Sequence, residues 1–449
     1  MNGSAGPVKG LIIAAPSSGS GKTVITLGLL RHLSVVGKAI TSAKAGPDYI
    51  DPAFHSAATG MPCQNLDIWA MRPSLLHQVA SNGSDGATVV CEGVMGLFDG
   101  AVMEQGSTAD LSEATGWPVV LIIDAAAQGA SAGAVLRGFA THRPNLLIAG
   151  VIFNRVGGVR HKSILEEAAT QAAPDVKILG FVPRSIDLNL PDRHLGLIQA
   201  VEHPDLEKFI NSAASVVEKN IDIDEFLSLA QPLKLSRGVA TSPIAPLGQR
   251  IAVADDEAFS FRYPIILDGW KNQGAELSFF SPLNDQAPSR DVDAVYLPGG
   301  YPELYCHCIA SSSNFMLGLK QAKERGAAVF GECGGFMVLG KGLIDMKGKY
   351  HPMVGLLPLE TSFAQRKLHL GYREVELDAE AARGAGGVLG SPGQRFRGHE
   401  FHYATIHDQS AGRPLFHSFD AAGNGLGTTG LADGRVMGSF IHLIDRKDC

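Results

Sequence analysis

A cysteine set between an apolar run and a pair of glycines can act as a nucleophile, and the sequence holds one such place. Residues 328–335 read AVFGECGG, which puts Cys333 at a sharp strand-to-helix turn, where a reactive side chain is lifted out of a sheet. Gly331, Gly334 and Gly335 supply the backbone freedom of such an elbow. A thiol at a helix N-terminus has its thiolate favoured, and the thiolate is the nucleophile. Most free cysteines are small buried hydrophobes, a reading that leaves these glycines unexplained. Attack on a carbonyl also needs donors for the oxyanion and a base. Gly299 and Gly300, in YLPGGYPE, follow a strand and offer N–H groups for the first. His442, in GSFIHLI at the end of a predicted strand, offers the second, with His399 and His402 of RGHEFHY as rivals.

A second constellation reads as phosphate chemistry. A full phosphate loop is G-x-x-x-x-G-K-[ST]. Here Gly21-Lys22-Thr23 is intact, while Pro16 stands at the first glycine position. The strand GLIIAA precedes the loop and a helix begins at Lys22, so the N–H groups of Ser18, Gly19, Ser20, Gly21, Lys22 and Thr23 face an anion at a positive helix end. Lys22 then reaches the β- and γ-phosphates of ATP, and the Thr23 hydroxyl binds Mg²⁺. A Gly/Ser turn before a helix is the plain alternative. Mg²⁺ needs more oxygen ligands. Glu92 ends the apolar run ATVVCE, and Asp48 lies on the strand-end loop KAGPDYIDP beside Lys44, Tyr49 and Asp51. Asp51, ahead of Pro52, also suits a turn. Asn154, at a strand end in IFNRV, is placed to pair with adenine.

These side chains need a scaffold. The chain has 449 residues, more than one ordinary core holds, and its 45% hydrophobic and 7% aromatic content suits a compact α/β protein. Apolar runs GLIIAAP, ATVVCEG, PVVLIIDAAA, NLLIAGVIFNRV and VKILGFVPR alternate with helical stretches, which predicts a doubly wound parallel sheet. Periodicity fades over 236–248, read as a linker, and returns in a second α/β domain. The domains expected are therefore 1–235 and 249–449. A net charge of −7 without a basic stripe speaks against nucleic acid. The N-terminal apolar run is too short for a membrane helix and lacks the layout of a signal peptide. Six scattered cysteines suit a reducing, cytoplasmic setting, and the pair in YCHC matches no common zinc spacing.

PGGYPE, GECGG and GSFIH, in that order, resemble a class I glutamine amidotransferase domain. The resemblance implies attack of Cys333 on glutamine, a thioester and release of ammonia. The usual arrangement is His-x-Glu, whereas this chain reads His442-Leu443-Ile444, so the orienting Glu is missing. The N-terminal half resembles the dethiobiotin-synthetase-like ATPases. The full set of motifs, with PDRHLGL and GHEFHY, is similar to the cobyrinic acid a,c-diamide synthase family. That family implies ATP- and glutamine-dependent amidation of corrin acetates through an acyl phosphate, with Lys44 sharing the charge of phosphoryl transfer. Tyr49 of PDYIDP and Asp99 of GLFDG belong to the same strand-end face and are expected near the corrin acid, and Arg193 and His194 are candidates to meet its carboxylates, with which Arg pairs bidentately. Asp99 beside Gly100 also reads as a turn residue, and Arg193 and His194 also suit a cap or a surface. A homodimer is a candidate assembly. The alternatives are an amide synthase for another acid and a P-loop carrier protein with an inert tail.

Overall fold

The computed structural model describes residues 8–448 apart from 83–85, 104, 185–191, 194, 195, 198, 237, 239–241, 410 and 411. The chain folds as two compact units, one of Met1–Trp69 with Pro73–Ala240 and one of Ala70–Arg72 with Thr241–Cys449.

The first unit is organised by apolar runs too continuous to leave either face of a sheet in water. Strands β1 (Lys9–Ala14), β2 (Ile40–Ala45), β3 (Gln64–Leu66), β4 (Thr88–Glu92), β5 (Val119–Asp124), β6 (Ile148–Val156) and β7 (Lys177–Pro183) line up as β3-β2-β4-β1-β5-β6-β7. Every neighbouring pair among them is parallel. Leu11 to Ile13 and Val119 to Ile122 are fully enclosed, as strands covered on both faces must be. Because β1 lies between β4 and β5, the chain winds out to one side of it and then to the other. Loops after β1, β2 and β4 meet beside that switch, where open α/β sheets gather ligands. Helix α1 (Lys22–Val35) leaves the loop after β1 and packs on the helix Leu206–Asn220. A methyl at Gly28 would come within 2.6 Å of Ala213 O, so glycine permits that close approach. Late in this unit β8 (Asp192–Arg193) and β9 (Gly196–Leu197) form a short ladder, and β10 (Gln231–Pro232) pairs antiparallel with the start of β1.

The second unit carries a ten-stranded mixed sheet. Its parallel part is β12 (Glu276–Phe280), β11 (Arg250–Ala254), β13 (Ala294–Leu297), β14 (Ala328–Glu332) and β23 (Val436–Ser439). Beyond β23 it continues antiparallel through β22 (Gly425–Asp433), β21 (Arg413–Asp420), β18 (His369–Leu377) and β19 (Arg395–His402) to β24 (Ile441–Lys447). A smaller sheet holds β15 (Gly342–Ile344), β16 (Tyr350–Pro352), β17 (Glu360–Ser362) and β20 (Thr405–Asp408). Phe259, Val295, Phe315, Val329 and Phe336 are in the apolar core of this unit. Ala70–Arg72 belongs to this unit because Arg72 clasps a buried acid. Its backbone N–H and its Nε donate to Asp445 Oδ2 at 2.8 and 3.0 Å, and its Nη2 donates to Asp445 Oδ1 at 2.9 Å.

Candidate functional site

In the first unit, strand register brings the key side chains together. Parallel pairing of β2 with β4 sets Lys44 beside Glu92, and pairing of β1 with β4 sets Ile13 on its other side. Glu92 is wholly enclosed. Its Oε1 accepts from Thr23 Oγ1 at 2.6 Å and Lys44 Nζ at 3.0 Å, and its Oε2 meets His55 Nε2 at 2.7 Å. Lys44 Nζ also donates to Asp51 Oδ2 at 2.5 Å. The other Asp51 oxygen, Oδ1, is enclosed without a hydrogen-bond partner. His55 Nδ1 stands 3.4 Å from Cys63 Sγ. Asp51 and His55 lie one turn apart on helix α2 (Asp51–Thr59), so one helical face delivers both.

Burial opposes every charge in this group, and neighbours decide which survive. Asp51 and Glu92 hold Lys44 well above its ordinary range against burial. Lys44, His55 and Thr23 hold the Glu92 carboxyl well below its ordinary range, again against burial. Asp51 goes the other way, since burial and nearby Asp48 push it up to about 7 despite Lys44. For His55, Cys63 and Glu92 outweigh burial and push it up to about 10. Three hard oxygen donors belong to the cluster: the Thr23 hydroxyl, the Glu92 carboxylate and the open Asp51 Oδ1. That donor set fits Mg²⁺.

The remaining predicted residues of this unit take other positions. Ser18 and Gly19 are exposed on the loop, and Lys22 Nζ is folded back onto Ser17 O at 3.3 Å and Met95 O at 2.7 Å. Burial lowers the Lys22 pKa. Asn154 departs from the adenine reading, because its Nδ2 donates to Ser20 O at 2.9 Å and its Oδ1 accepts from Arg155 N. It braces the loop, and it explains Gly21, where φ is +88° and a Cβ would stand 2.2 Å from Asn154 Nδ2. Asp48 likewise serves the backbone, its Oδ1 accepting from Ile50 N and Asp51 N at 2.8 and 3.1 Å where α2 begins. Tyr49 is buried beside it. Asp99 closes a turn, accepting from Gly96 N at 2.9 Å. Arg193 falls in β8, and His194 lies outside the described residues.

In the second unit, Cys333 follows β14 with φ 47° and ψ −102°, and the helix Gly334–Leu339 starts immediately after it. The strained φ of the elbow therefore rests on the cysteine itself. Its glycine neighbours serve another purpose, close approach. A Cβ would stand 2.0 Å from Leu297 O at Gly335, and 2.9 Å from Pro302 Cδ and 3.0 Å from Gly300 N at Gly334. The loop carrying Gly299 and Gly300 is thus pressed onto the elbow. A Cβ on Gly299 would meet His442 Cε1 at 2.2 Å and Cys333 Cβ at 3.3 Å, which puts thiol, imidazole and the two-glycine loop around one point. Cys333 N donates to Ser439 O at 2.8 Å, tying the elbow to β23.

Both reacting groups are buried, and burial keeps both neutral. It pushes the Cys333 thiol far up, with Glu303 adding to the effect, so the thiolate expected at a helix end does not prevail in a helix of six residues. It pushes His442 down to about 3, helped by His399 and His402. His402 is committed elsewhere, with Nδ1 on Ala404 O and Nε2 on Glu400 Oε1, both at 3.0 Å. His399 lies across the ladder from His442. His369, Glu400 and His402 offer ligand atoms within 4.8 Å of one another. The two rings stack 4.6 Å apart at 6°, so their in-plane lone pairs run parallel and cannot converge on one ion. Where a Glu two residues after the histidine would stand, the chain has Ile444. The residue next to the histidine, Leu443, donates its N–H to Glu332 at 3.0 Å, and Glu332 also accepts from Tyr296 OH at 2.6 Å.

The fold and these two sites define a P-loop nucleotide-binding domain and a glutamine amidotransferase domain on one chain. Residues 11–198 match the CobQ/CobB/MinD/ParA nucleotide binding domain, and residues 250–448 match the CobB/CobQ-like glutamine amidotransferase domain. Relatives extend over both. The chain is 51% identical over 441 residues to the hydrogenobyrinate a,c-diamide synthase of Brucella abortus, covering 98% of this chain and 99% of that one. It is 50% identical over 440 residues to the protein of the same name from Rhizobium meliloti, with the same coverage. The chain belongs to the hydrogenobyrinate a,c-diamide synthase family.

Sequence reasoning did not assign roles to His55, Glu332, Glu303 or Arg72. A signal existed for His55, since Asp51 and His55 are four residues apart in DPAFH and share a helix face. Glu332 and Arg72 act through partners 111 and 373 residues away, and no local pattern carries that.

Proposed function

We propose that the chain converts two carboxylates of hydrogenobyrinate, a and c, into amides, with glutamine as nitrogen donor and ATP as activator, in the making of cobalamin. The metal-free ring is taken as acceptor because the relatives matched over nearly their whole length carry that name. Residues 1–235 bind ATP and the corrin acid, and residues 249–449 release ammonia. The observation that carries the reading is the pair of sites on one chain: Thr23, Lys44 and Glu92 in contact beside the phosphate loop, and Cys333 and His442 gathered around Gly299.

In the second unit, Cys333 gives its proton to His442, and sulfur attacks the side-chain amide carbon of glutamine. The N–H groups of Gly299 and Gly300 receive the oxyanion. Ammonia leaves with the proton from His442, and water then cleaves the thioester to glutamate. In the first unit, an acetate oxygen of the ring attacks the γ-phosphorus of ATP, and ADP departs. Ammonia adds to the acyl carbon of the resulting acyl phosphate, and phosphate leaves. Lys22 unfolds from Ser17 and Met95 to meet the phosphates, and Lys44 offsets charge on the transferring group. Thr23, Glu92 and Asp51 would hold Mg²⁺, which supplies charge neutralisation at the phosphates when bound. The corrin acid meets the chain near Tyr49.

The test uses ring acid labelled with ¹⁸O in its carboxylates. With ATP and glutamine, mass spectrometry should find two amides per ring and one label in each phosphate released. Amide formation with no label in phosphate would rule out the acyl phosphate, and absence of amide would rule out the function.

A further inference from the structure

Glutamine brings one cation to the thiol site, its α-ammonium group, and a buried site can accept that charge only where an acid can become its counter-ion. Glu303 is such a group. It ends the PGGYPE stretch, in the short turn Pro302–Leu304, one residue after the proline that sits against Gly334 of the elbow. The residue keeps partial exposure, but its Oε2 is enclosed and has no hydrogen-bond partner. Burial pushes its carboxyl up to about 8, so the resting group keeps its proton and gives it to solvent as a cation arrives, and among the described residues no cationic side chain counters that effect. Its charge acts on Cys333 more strongly than that of Glu332 or Glu400 does. The other acids around this site are all engaged. Glu332 accepts from Tyr296 and Leu443, and Glu400 accepts from Arg373 and faces His402. A carboxylate left enclosed without a partner is costly, and a bound cation removes that cost.

We propose that Glu303 receives the α-ammonium group of glutamine while Cys333 attacks the amide at the other end of the same molecule. This assignment rests on the reading of Cys333 as the glutamine-cleaving nucleophile. Glu303 takes no part in bond making. It selects an amide that carries an α-amino group over one that does not, and it sets the amino-acid end of the substrate relative to the sulfur.

The experiment compares glutamine with glutaramate, which is glutamine without its amino group, as substrates of the full-length chain and of Glu303→Gln. The wild-type chain should prefer glutamine. In the variant, KM for glutamine should rise about 10- to 100-fold, the worth of one charged hydrogen bond, with kcat little changed. KM for glutaramate should stay where it was, and amide synthesis from added ammonia should be unaffected, which also certifies folding. Equal loss on both substrates, or an unchanged preference for glutamine, overturns the assignment. Should the variant not fold, the wild type decides alone, since less than about threefold discrimination between the two substrates also overturns it. Cys333→Ala separates the layers. If glutamine cleavage survives that change, the nucleophile is wrong and the subsite falls with it. If cleavage is lost while the glutaramate comparison fails, only the subsite falls.

Discussion

The two sites of this chain solve opposite electrostatic problems. In the first unit, Lys44, Asp51, His55 and Glu92 form a network of opposite charges held by hydrogen bonds of 2.5 to 3.0 Å. In the second, Cys333 and His442 are enclosed and neutral, and the acids nearest to them oppose a thiolate. The difference follows from the chemistry. Phosphate and metal arrive already charged, so the protein must hold compensating charge in advance. A thiol needs its charge only while it attacks, and a neutral resting pair protects it from oxidation and stray reaction. Substrate binding then supplies what the resting site lacks.

The sharpest way to break this contrast is to remove each centre and ask which nitrogen source still works. Cys333→Ala should lower glutamine-dependent synthesis by about a thousandfold or more while sparing synthesis from ammonia. Loss of both would mean that the thiol site also serves the nucleotide half. Glu92→Gln takes the charge on which Thr23, Lys44 and His55 converge, and should lower synthesis from either source by about a hundredfold or more. A variant that lost only glutamine use would invert the assignment. Both are measured as amide formed against time with each nitrogen donor.

Gly299→Ala sharpens the comparison with a smaller change. The added methyl would lie 2.2 Å from His442 Cε1 and 3.3 Å from Cys333 Cβ, so the imidazole must shift most and the cysteine by a few tenths of an ångström. A displacement near 1 Å can cost about a hundredfold, and glutamine cleavage should fall by that order with ammonia use intact. Unchanged cleavage would show that His442 is not the base and would pass that role to His399.

How much of this was written legibly along the chain depends on distance. Buried strands, the phosphate loop and the elbow are local patterns, and GLIIAA, SGSGKT and GECGG place them without help from the fold. Partnerships across the fold are another matter. Asn154 stands 134 residues from the Ser20 carbonyl it braces, and only the position of β6 brings it there. Asp48 and Asp51 are equivalent by spacing, and the start of α2 decides that Asp48 caps while Asp51 turns to Lys44. The glycines of the elbow were noticed for flexibility, yet their value is the close approach of Leu297, Gly300 and Pro302, which no sequence window contains.

The last effect is on stability rather than rate and concerns Glu332, an acid that ties the nucleophile strand to the base strand. Burial raises its carboxyl from 4.5 to about 7 against the pull of its bonds to Tyr296 and Leu443. A carboxyl raised on folding binds more protons in the folded chain than in the unfolded one between those values. Stability of this region should therefore fall as pH rises from about 4.5 to 7, by up to about 3 kcal/mol in all. Glu92 has the reverse sign, since its lowered pKa gives stability that is present above 4.5 and lost only as pH falls below it. Glu332→Gln keeps an acceptor for Leu443 and removes the titration. Hydrogen exchange over β14 and β24 at pH 5 and pH 8 should show the wild type opening more easily at the higher value and the variant losing that difference. A wild type that opens equally at both would mean that Glu332 titrates normally and that its bonds to Tyr296 and Leu443 fully offset its burial.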